Sequence, residues 1–474
     1  MPMAHRAISN RSNLERATQW HVVTFVIAAA WMFGGRIDWA VPILISWGAV
    51  GALLTLYGLI DRRQRGAPVK RWLIWLAAPL LLALWVLVSS FNPSFEIIWF
   101  YEREVFRPRD VINWLPTSAT PDLTRSELAL GLGLFLSAFN LCLNVEKRRT
   151  LRNITLYLGG NACVLALFGT IQKMAGTEMF FGLQESPNDS FFASFIYHNH
   201  WGPFALLSIA GWFGLIEYLS KEDRGRGFLH SPAFSAIIAI LLIAVTIPLS
   251  TSRSSTMMLV VLLVFGGFWL LWRIGRRRVK PISRAILAST GLAAVVFFGA
   301  SAYWLGGDTI RHRIGDTKQQ IAAMQEMGGI GQRARVYGDT ITFIQAHPIA
   351  GWGLESYGFV YRRYNTEPKT VEGWTVQFDE AHSDWLQLLA EVGLVGTLLF
   401  LITIIVPLKS VRRHLFDDPY AGVPFFCLLL LALFAWVEFP LANPAVSLAA
   451  WVTFFGAIRY LQLGGSVQPH PTDS

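Results

Sequence analysis

The chain has 474 residues, 53% of them hydrophobic and 15% charged, with a mean hydropathy of +0.42. Soluble domains carry about 25% charged residues, so a soluble globular protein is excluded and the composition is that of a polytopic membrane protein. The net charge of +9 does not imply a nucleic-acid partner, because cytoplasmic loops of membrane proteins collect Lys and Arg.

A spanning helix needs about 20 mostly apolar residues. In chain order the candidates are 20–33 (short), 39–60, 71–90, 127–145, 151–174, 200–219, 234–250, 254–272, 284–305, 385–408, 421–439 and 445–463. The pattern predicts an all-α protein of about twelve transmembrane helices. Residues 1–19 form a polar, basic N-terminus without a cleavage site, 20–463 the membrane domain, and 464–474 a polar tail. Strongly basic connections at Arg62–Arg71, Lys147–Arg152, Lys221–Arg226, Arg273–Lys280 and Lys409–His414 occupy every second position. By the positive-inside rule these loops and both termini are cytoplasmic. Three connections then lie outside: 91–126, 175–199 and 306–384. The last carries helical signals over Arg333–Ala346, stopped by Pro348, and over Leu354–Tyr364, so it reads as a small helical cap between helices nine and ten. Cys142, Cys163 and Cys427 fall in apolar segments and indicate neither a disulfide nor a metal site.

The candidate chemistry lies at the outer ends of three helices. His382 precedes the helix at 385, with Ser383 as N-cap. Asp384 and Glu391 lie on one face of that helix, two turns apart. The bland alternative is an interfacial histidine beside a helix-start acid favoured by the dipole. Arg253 stands in the hydroxyl-rich turn Ser250–Thr256; its planar fork matches phosphate, or it is a hydrogen-bonded interfacial arginine. Asn199 and His200 open the helix at Trp201, where polar capping is the plain reading. Arg333 and Arg335 on the cap helix reach a ligand or form a solvated face with acids such as Asp339. Zinc is rejected, because no further His or Cys has ligand spacing. Helix N-termini favour anions. If the three ends cluster they make an anion site for a lipid-linked substrate arriving through the bilayer.

Four motifs resemble the O-antigen ligase and polymerase superfamily. They are Phe195-Ile196-Tyr197-His198-Asn199-His200-Trp201-Gly202, Ser250-Thr251-Ser252-Arg253-Ser254, Arg335 followed by His347-Pro348-Ile349-Ala350-Gly351-Trp352-Gly353, and His382-Ser383-Asp384-Trp385-Leu386-Gln387 through Gly393. The resemblance covers residues 150–410; Met257 stands where the family pattern after the arginine has Leu. It implies a GT-C-like, metal-independent, cofactor-free glycosyltransferase in the bacterial inner membrane, acting on the periplasmic face. The implied donor is an undecaprenyl-pyrophosphate-linked glycan. The acceptor is the lipid A core in ligases, a lipid-linked repeat in polymerases and a protein hydroxyl in related oligosaccharyltransferases. Arg253 and His382 would be catalytic; Arg253, Arg333, Arg335, Asn199, His200 and Asp384 would bind substrate. From a different class, a lipid or solute transporter would use Glu391 and Glu438 as coupling carboxylates, but no inverted repeat supports it. A scaffold without chemistry is the third reading, set back by the outer Arg and His motifs.

Overall fold

The computed structural model describes residues 2–100, 103–112, 114–176, 191–221, 231–276, 332–366 and 376–464, with short pieces between 179 and 188. The described residues are mostly helical, as expected of an all-α membrane protein. The helices are α1 (Pro2–Trp31), α2 (Ala40–Gln64), α3 (Lys70–Ser89), α4 (Pro121–Asn144), α5 (Arg148–Met174), α6 (His198–Lys221), α7 (Pro232–Leu249) and α8 (Arg253–Arg276). The cap contributes α9 (Gln332–Ala346) and α10 (Tyr357–Tyr364), and α11 (Asp384–Lys409), α12 (Pro419–Phe434) and α13 (Pro444–Gln462) follow. Eight of these helices are long and apolar enough to cross a membrane, and 253–269 and 419–434 are shorter apolar helices. The span expected at 284–305 lies outside the described residues.

Three boundaries differ from expectation. α1 begins at Pro2 rather than near 20. Within it Glu15, 5% exposed, accepts from Thr150 Oγ1 at 2.6 Å and Lys147 N at 3.1 Å. α12 stops at Phe434 and the chain turns back at 435–439. Glu438 therefore stands in a connection instead of inside a span ending at 439. The segment 91–126, for which the sequence carried no assignable pattern, contains the antiparallel hairpin β1 (Phe95–Phe100) and β2 (Arg103–Pro108).

α2 packs closely against α4. Gly48 meets the Gly133 backbone, Gly51 meets Ser137 and Gly58 meets Asn144, so small residues let the two backbones approach. In a bilayer such close packing replaces the hydrophobic drive that lipid removes. Polar links reinforce it: Asn140 Nδ2 donates to Gly51 O at 2.8 Å and Thr55 Oγ1 to Asn140 Oδ1 at 3.1 Å.

The basic connections that begin at Arg62, Lys147 and Lys409 share one end. Arg62 donates to Leu143 O, Arg148 Nε to Tyr460 O at 3.0 Å, Arg459 Nε to Val145 O at 2.6 Å, and Gln462 Nε2 to Ser410 Oγ at 3.4 Å. The cap occupies the opposite end. There Ala119 N donates to Trp352 O at 2.7 Å, Thr120 Oγ1 bonds Ser356 Oγ at 2.9 Å, and Phe106 of β2 packs on Phe359 with ring centroids 3.8 Å apart.

The cap is docked through a break in α11. Gly393 has φ 66° and ψ −173°, which divides the helix. The broken backbone bonds are replaced by the cap loop: Trp352 N donates to Ala390 O at 3.0 Å and Gly353 N to Glu391 O at 2.8 Å, while Leu394 N and Val395 N donate to Pro348 O and Ile349 O at 2.9 and 3.2 Å. Glu391, expected within a continuous span, sits just before this break. It is 4% exposed and accepts from Tyr357 N at 3.2 Å and Gln387 Nε2 at 3.3 Å.

Candidate functional site

Four segments meet at the cap end around Glu438, which is 2% exposed. Its Oε1 accepts from Arg333 Nη2 on α9 at 2.5 Å and from Asn199 Nδ2 on α6 at 3.1 Å; its Oε2 accepts from Tyr197 OH at 3.5 Å. Its backbone carbonyl accepts from Asp384 N, the first residue of α11, at 3.2 Å. Burial raises the Glu438 pKa, and Arg333, Asn199 and Tyr197 oppose that shift. Burial likewise works against the Arg333 charge, and Glu438 outweighs it, so the Arg333 pKa is raised.

His382 lies on the turn that enters α11. Its φ of +52° is a left-handed conformation that non-glycine residues adopt at a cost. The turn is held at every residue. Ala381 N donates to Gln387 Oε1 at 3.1 Å, Tyr337 OH to His382 O at 3.0 Å, and Ser383 Oγ to Ala435 O at 3.3 Å. Ser383 also caps α11, accepting from Leu386 N at 3.4 Å. The His382 ring packs against Phe439 and Phe378, with centroids 5.2 and 5.9 Å away. Its Nδ1 is buried with no hydrogen-bond partner. Burial, aided by the nearby Arg333 charge, lowers its pKa from 6.5 to about 4, so the imidazole is neutral near pH 7.

Phe439 joins the two histidine motifs. Its ring centroid lies 5.3 Å from that of His200, which is 5% exposed, and 5.2 Å from that of His382. Asn199, read as a helix cap in the plain alternative, instead lies within α6 and spends its amide on Glu438 and on Tyr197 OH, at 2.7 Å. Arg253 is the exposed first residue of α8. Ser252 caps that helix, accepting from Ser255 N at 3.4 Å. A Cβ on Gly202 of α6 would collide with Ser255, so the α6 and α8 N-termini are in contact and Arg253 and Asn199 rise from the same end. Arg335, half-buried, stands on α9 two residues beyond Arg333. Asp384 does not orient His382: its Oδ2 accepts from Leu441 N at 2.9 Å. The structure thus gathers the ends of α6, α8 and α11 with α9 at one end of the bundle. Among the described residues no group of three or more His, Cys, Asp or Glu is placed to hold a metal ion.

In the sequence Glu438 entered only as a coupling carboxylate of the transporter alternative; Tyr197 and Phe439 carried no separate signal. Glu438→Ala, which strips the partner from Arg333 and Asn199, is expected to cost about 2–4 kcal/mol. Glu438→Gln keeps an acceptor for Asn199 and should cost less than half as much. Thermal unfolding of both variants in one detergent measures the difference, and equal losses would contradict the network.

Residues 238–401 match the family model of the O-antigen ligase. This segment belongs to the O-antigen ligase family. It runs from α7 through the break in α11 and contains Arg253, Arg333, Arg335 and the whole His382–Gly393 turn. No curated relative matches the chain. The O-antigen ligase segment supports a lipid-linked glycan ligase or polymerase role for a multi-pass membrane protein. Asn199, His200 and Glu438 lie outside the matched segment, yet touch or adjoin residues within it.

Proposed function

We propose that the protein is a metal-independent glycosyltransferase of the O-antigen ligase type. It moves a glycan from an undecaprenyl-pyrophosphate donor to an acceptor hydroxyl at the periplasmic face of the bacterial inner membrane. The observation that carries this reading is the meeting of three helix N-termini with arginines and a neutral, buried-faced imidazole at the cap end. Arg253 and the free N–H groups of the helix ends bind the pyrophosphate, with Arg335 as a further cation. The bond between the sugar anomeric carbon and the pyrophosphate oxygen breaks while the acceptor oxygen bonds that carbon. Charge grows on the leaving pyrophosphate, where fixed donors lower the barrier. The acceptor proton passes to His382. A pyrophosphate leaves without a general acid, so a glycosidase-like carboxylate pair is unnecessary. Arg333, committed to Glu438, keeps one edge exposed toward the ligand. Asn199 and His200 shape the pocket.

The test is transfer by the purified protein in liposomes, with a polyprenyl-pyrophosphate-linked oligosaccharide, a hydroxyl acceptor and no energy source. Appearance of a single transferred block supports ligation. A ladder of lengthening lipid-linked chains makes the protein a polymerase, and substrate-dependent proton uptake without transfer makes it a transporter. The bonds that Glu391 and Glu438 make to neighbouring groups favour the enzyme over a proton-coupled carrier.

The His382 environment sets a pH profile. Protonation below its pKa removes the base, so kcat/KM of the free enzyme should stay level down to pH about 5 and fall as pH approaches about 4. A fall centred near 6.5 would mean an ordinary exposed imidazole.

A further inference from the structure

A cavity of about 320 Å³ lies between α11, α12 and α13 and reaches Asp384 at the start of α11. That volume falls within the range of about 300–1,000 Å³ usual for ligand pockets. Its lining is divided by depth. Phe400 and Ile404 on α11, Leu428 and Leu431 on α12, and Trp451 and Phe454 on α13 form an apolar wall. At about 1.5 Å per residue, Phe400, Ile404, Trp451 and Phe454 stand roughly 10–16 Å below Gly393 or Pro444. The end nearest the cap is polar, with Arg36, Glu127, Glu355, Asp384, Gln387 and Glu391. An apolar slot under a polar end is the shape of an amphiphile whose head lies at the membrane boundary and whose tail runs into it.

The polar end decides the head. Among the described lining residues Arg36 is the one cation, and it is already ion-paired with Glu380, facing four carboxyls. A phosphate placed there finds one cation, already paired, and four carboxyls that can offer it no counter-charge. The end is not a bare anionic cage either. Asp384 accepts from Leu441 N, Glu391 accepts from Tyr357 N, and Gln387 donates to Glu391. Carboxyl and amide groups that both accept and donate suit a polyol, and Trp385 and Trp451, which also line the cavity, supply flat apolar surface for a sugar ring.

We propose that this cavity binds a glycolipid by its phosphate-free, polyhydroxyl head and the upper part of its hydrocarbon tail. Asp384 in its lining lies two residues from His382, so such a head would lie beside the transfer site. That the glycolipid is the hydroxyl-bearing acceptor rests on the transfer reading above; the binding does not.

The experiment uses the full chain in lipid nanodiscs and an alkyl maltoside carrying a photoreactive diazirine in its chain. Labelled peptides are mapped by mass spectrometry, and transfer is not read, so this result and the fate of the transfer assignment are separable. Labelling should fall on 394–409 and 444–462, and drop about tenfold with excess dodecyl maltoside but not with dodecyl phosphate or dodecylamine. Ala450→Trp and Leu428→Trp, which fill the slot, should lower labelling to a similar degree. Labelling spread over the lipid-facing surface would overturn the proposal. So would equal competition by all three amphiphiles, or stronger competition by the phosphate or the amine. The competition on the unmodified protein decides the matter even if neither filled variant folds.

Discussion

Arg253→Ala lowers the rate of glycan transfer by about 10²–10³-fold at equal protein level, and His382→Ala does the same or more. The expectation follows from where charge appears. In the proposed reaction the pyrophosphate gains charge as its bond to the sugar breaks, and a preorganised donor aimed there is worth about 3–4 kcal/mol. Arg253 opens α8 beside the α6 terminus, so its guanidinium adds to helix-end N–H groups that already favour an anion. Arg253→Lys keeps the charge and loses the two-pronged geometry, so it should recover less than a tenth of the lost rate. His382→Ala removes the base that accepts the hydroxyl proton. The measurement is initial-rate transfer from a lipid-linked glycan in membranes, with protein level fixed by immunoblot. Transfer near the unmodified rate in both alanine variants would remove the catalytic assignment.

Gly393→Ala is the second large effect, and it acts on the fold. Gly393 has φ 66°, and a Cβ there would overlap the Ile349 carbonyl; a Cβ on Gly351, at φ 73°, would overlap the Glu391 carbonyl. The two glycines lie on opposite sides of one backbone exchange, in which the cap loop replaces the hydrogen bonds that the α11 break gives up. Either alanine must move that backbone apart, adding steric overlap to the cost of a left-handed residue, about 3 kcal/mol or more in sum. The cap should detach first. Limited proteolysis should cut near 348–353, and the unfolding temperature should fall. Because Arg333 and Arg335 ride on the cap, transfer should fall with it. A Gly393→Ala protein as stable as the parent, within about 0.5 kcal/mol, would show that the exchange does not hold the cap.

The same pair shows why the motifs have their form. From the residues alone, His347–Gly353 and His382–Gly393 were two separate family-like stretches. Their reason is mutual: each supplies a glycine where the other's carbonyl needs room, and N–H groups where the other has unpaired oxygens. Other parts were more directly readable. Apolar runs of spanning length marked the helices, and the alternation of Arg and Lys put the connections holding Arg62, Arg148 and Ser410 on one side, and the structure has them together at the end away from the cap. The start of α1 was misjudged because Glu15 looks exposed in sequence, and only its bonds to Thr150 and Lys147 let it be buried. The β1–β2 hairpin was missed because its alternation is short and its partner surface, Trp352 and Phe359, is far along the chain.

By itself the sequence determined that this is a many-helix membrane protein with a helical cap, and it nominated a histidine and arginines as candidates for a chemical role. Those properties live in local hydropathy, in charge along the chain and in residue type, which need no knowledge of neighbours in space. Only the tertiary structure decided that Glu438 is the junction of Arg333, Asn199 and Asp384, and that Phe439 lies between two histidines. It alone showed that a two-zoned cavity opens beneath Asp384. These depend on contacts between residues hundreds apart, where a single buried carboxylate is costly unless several distant donors converge on it, and no local pattern records that convergence.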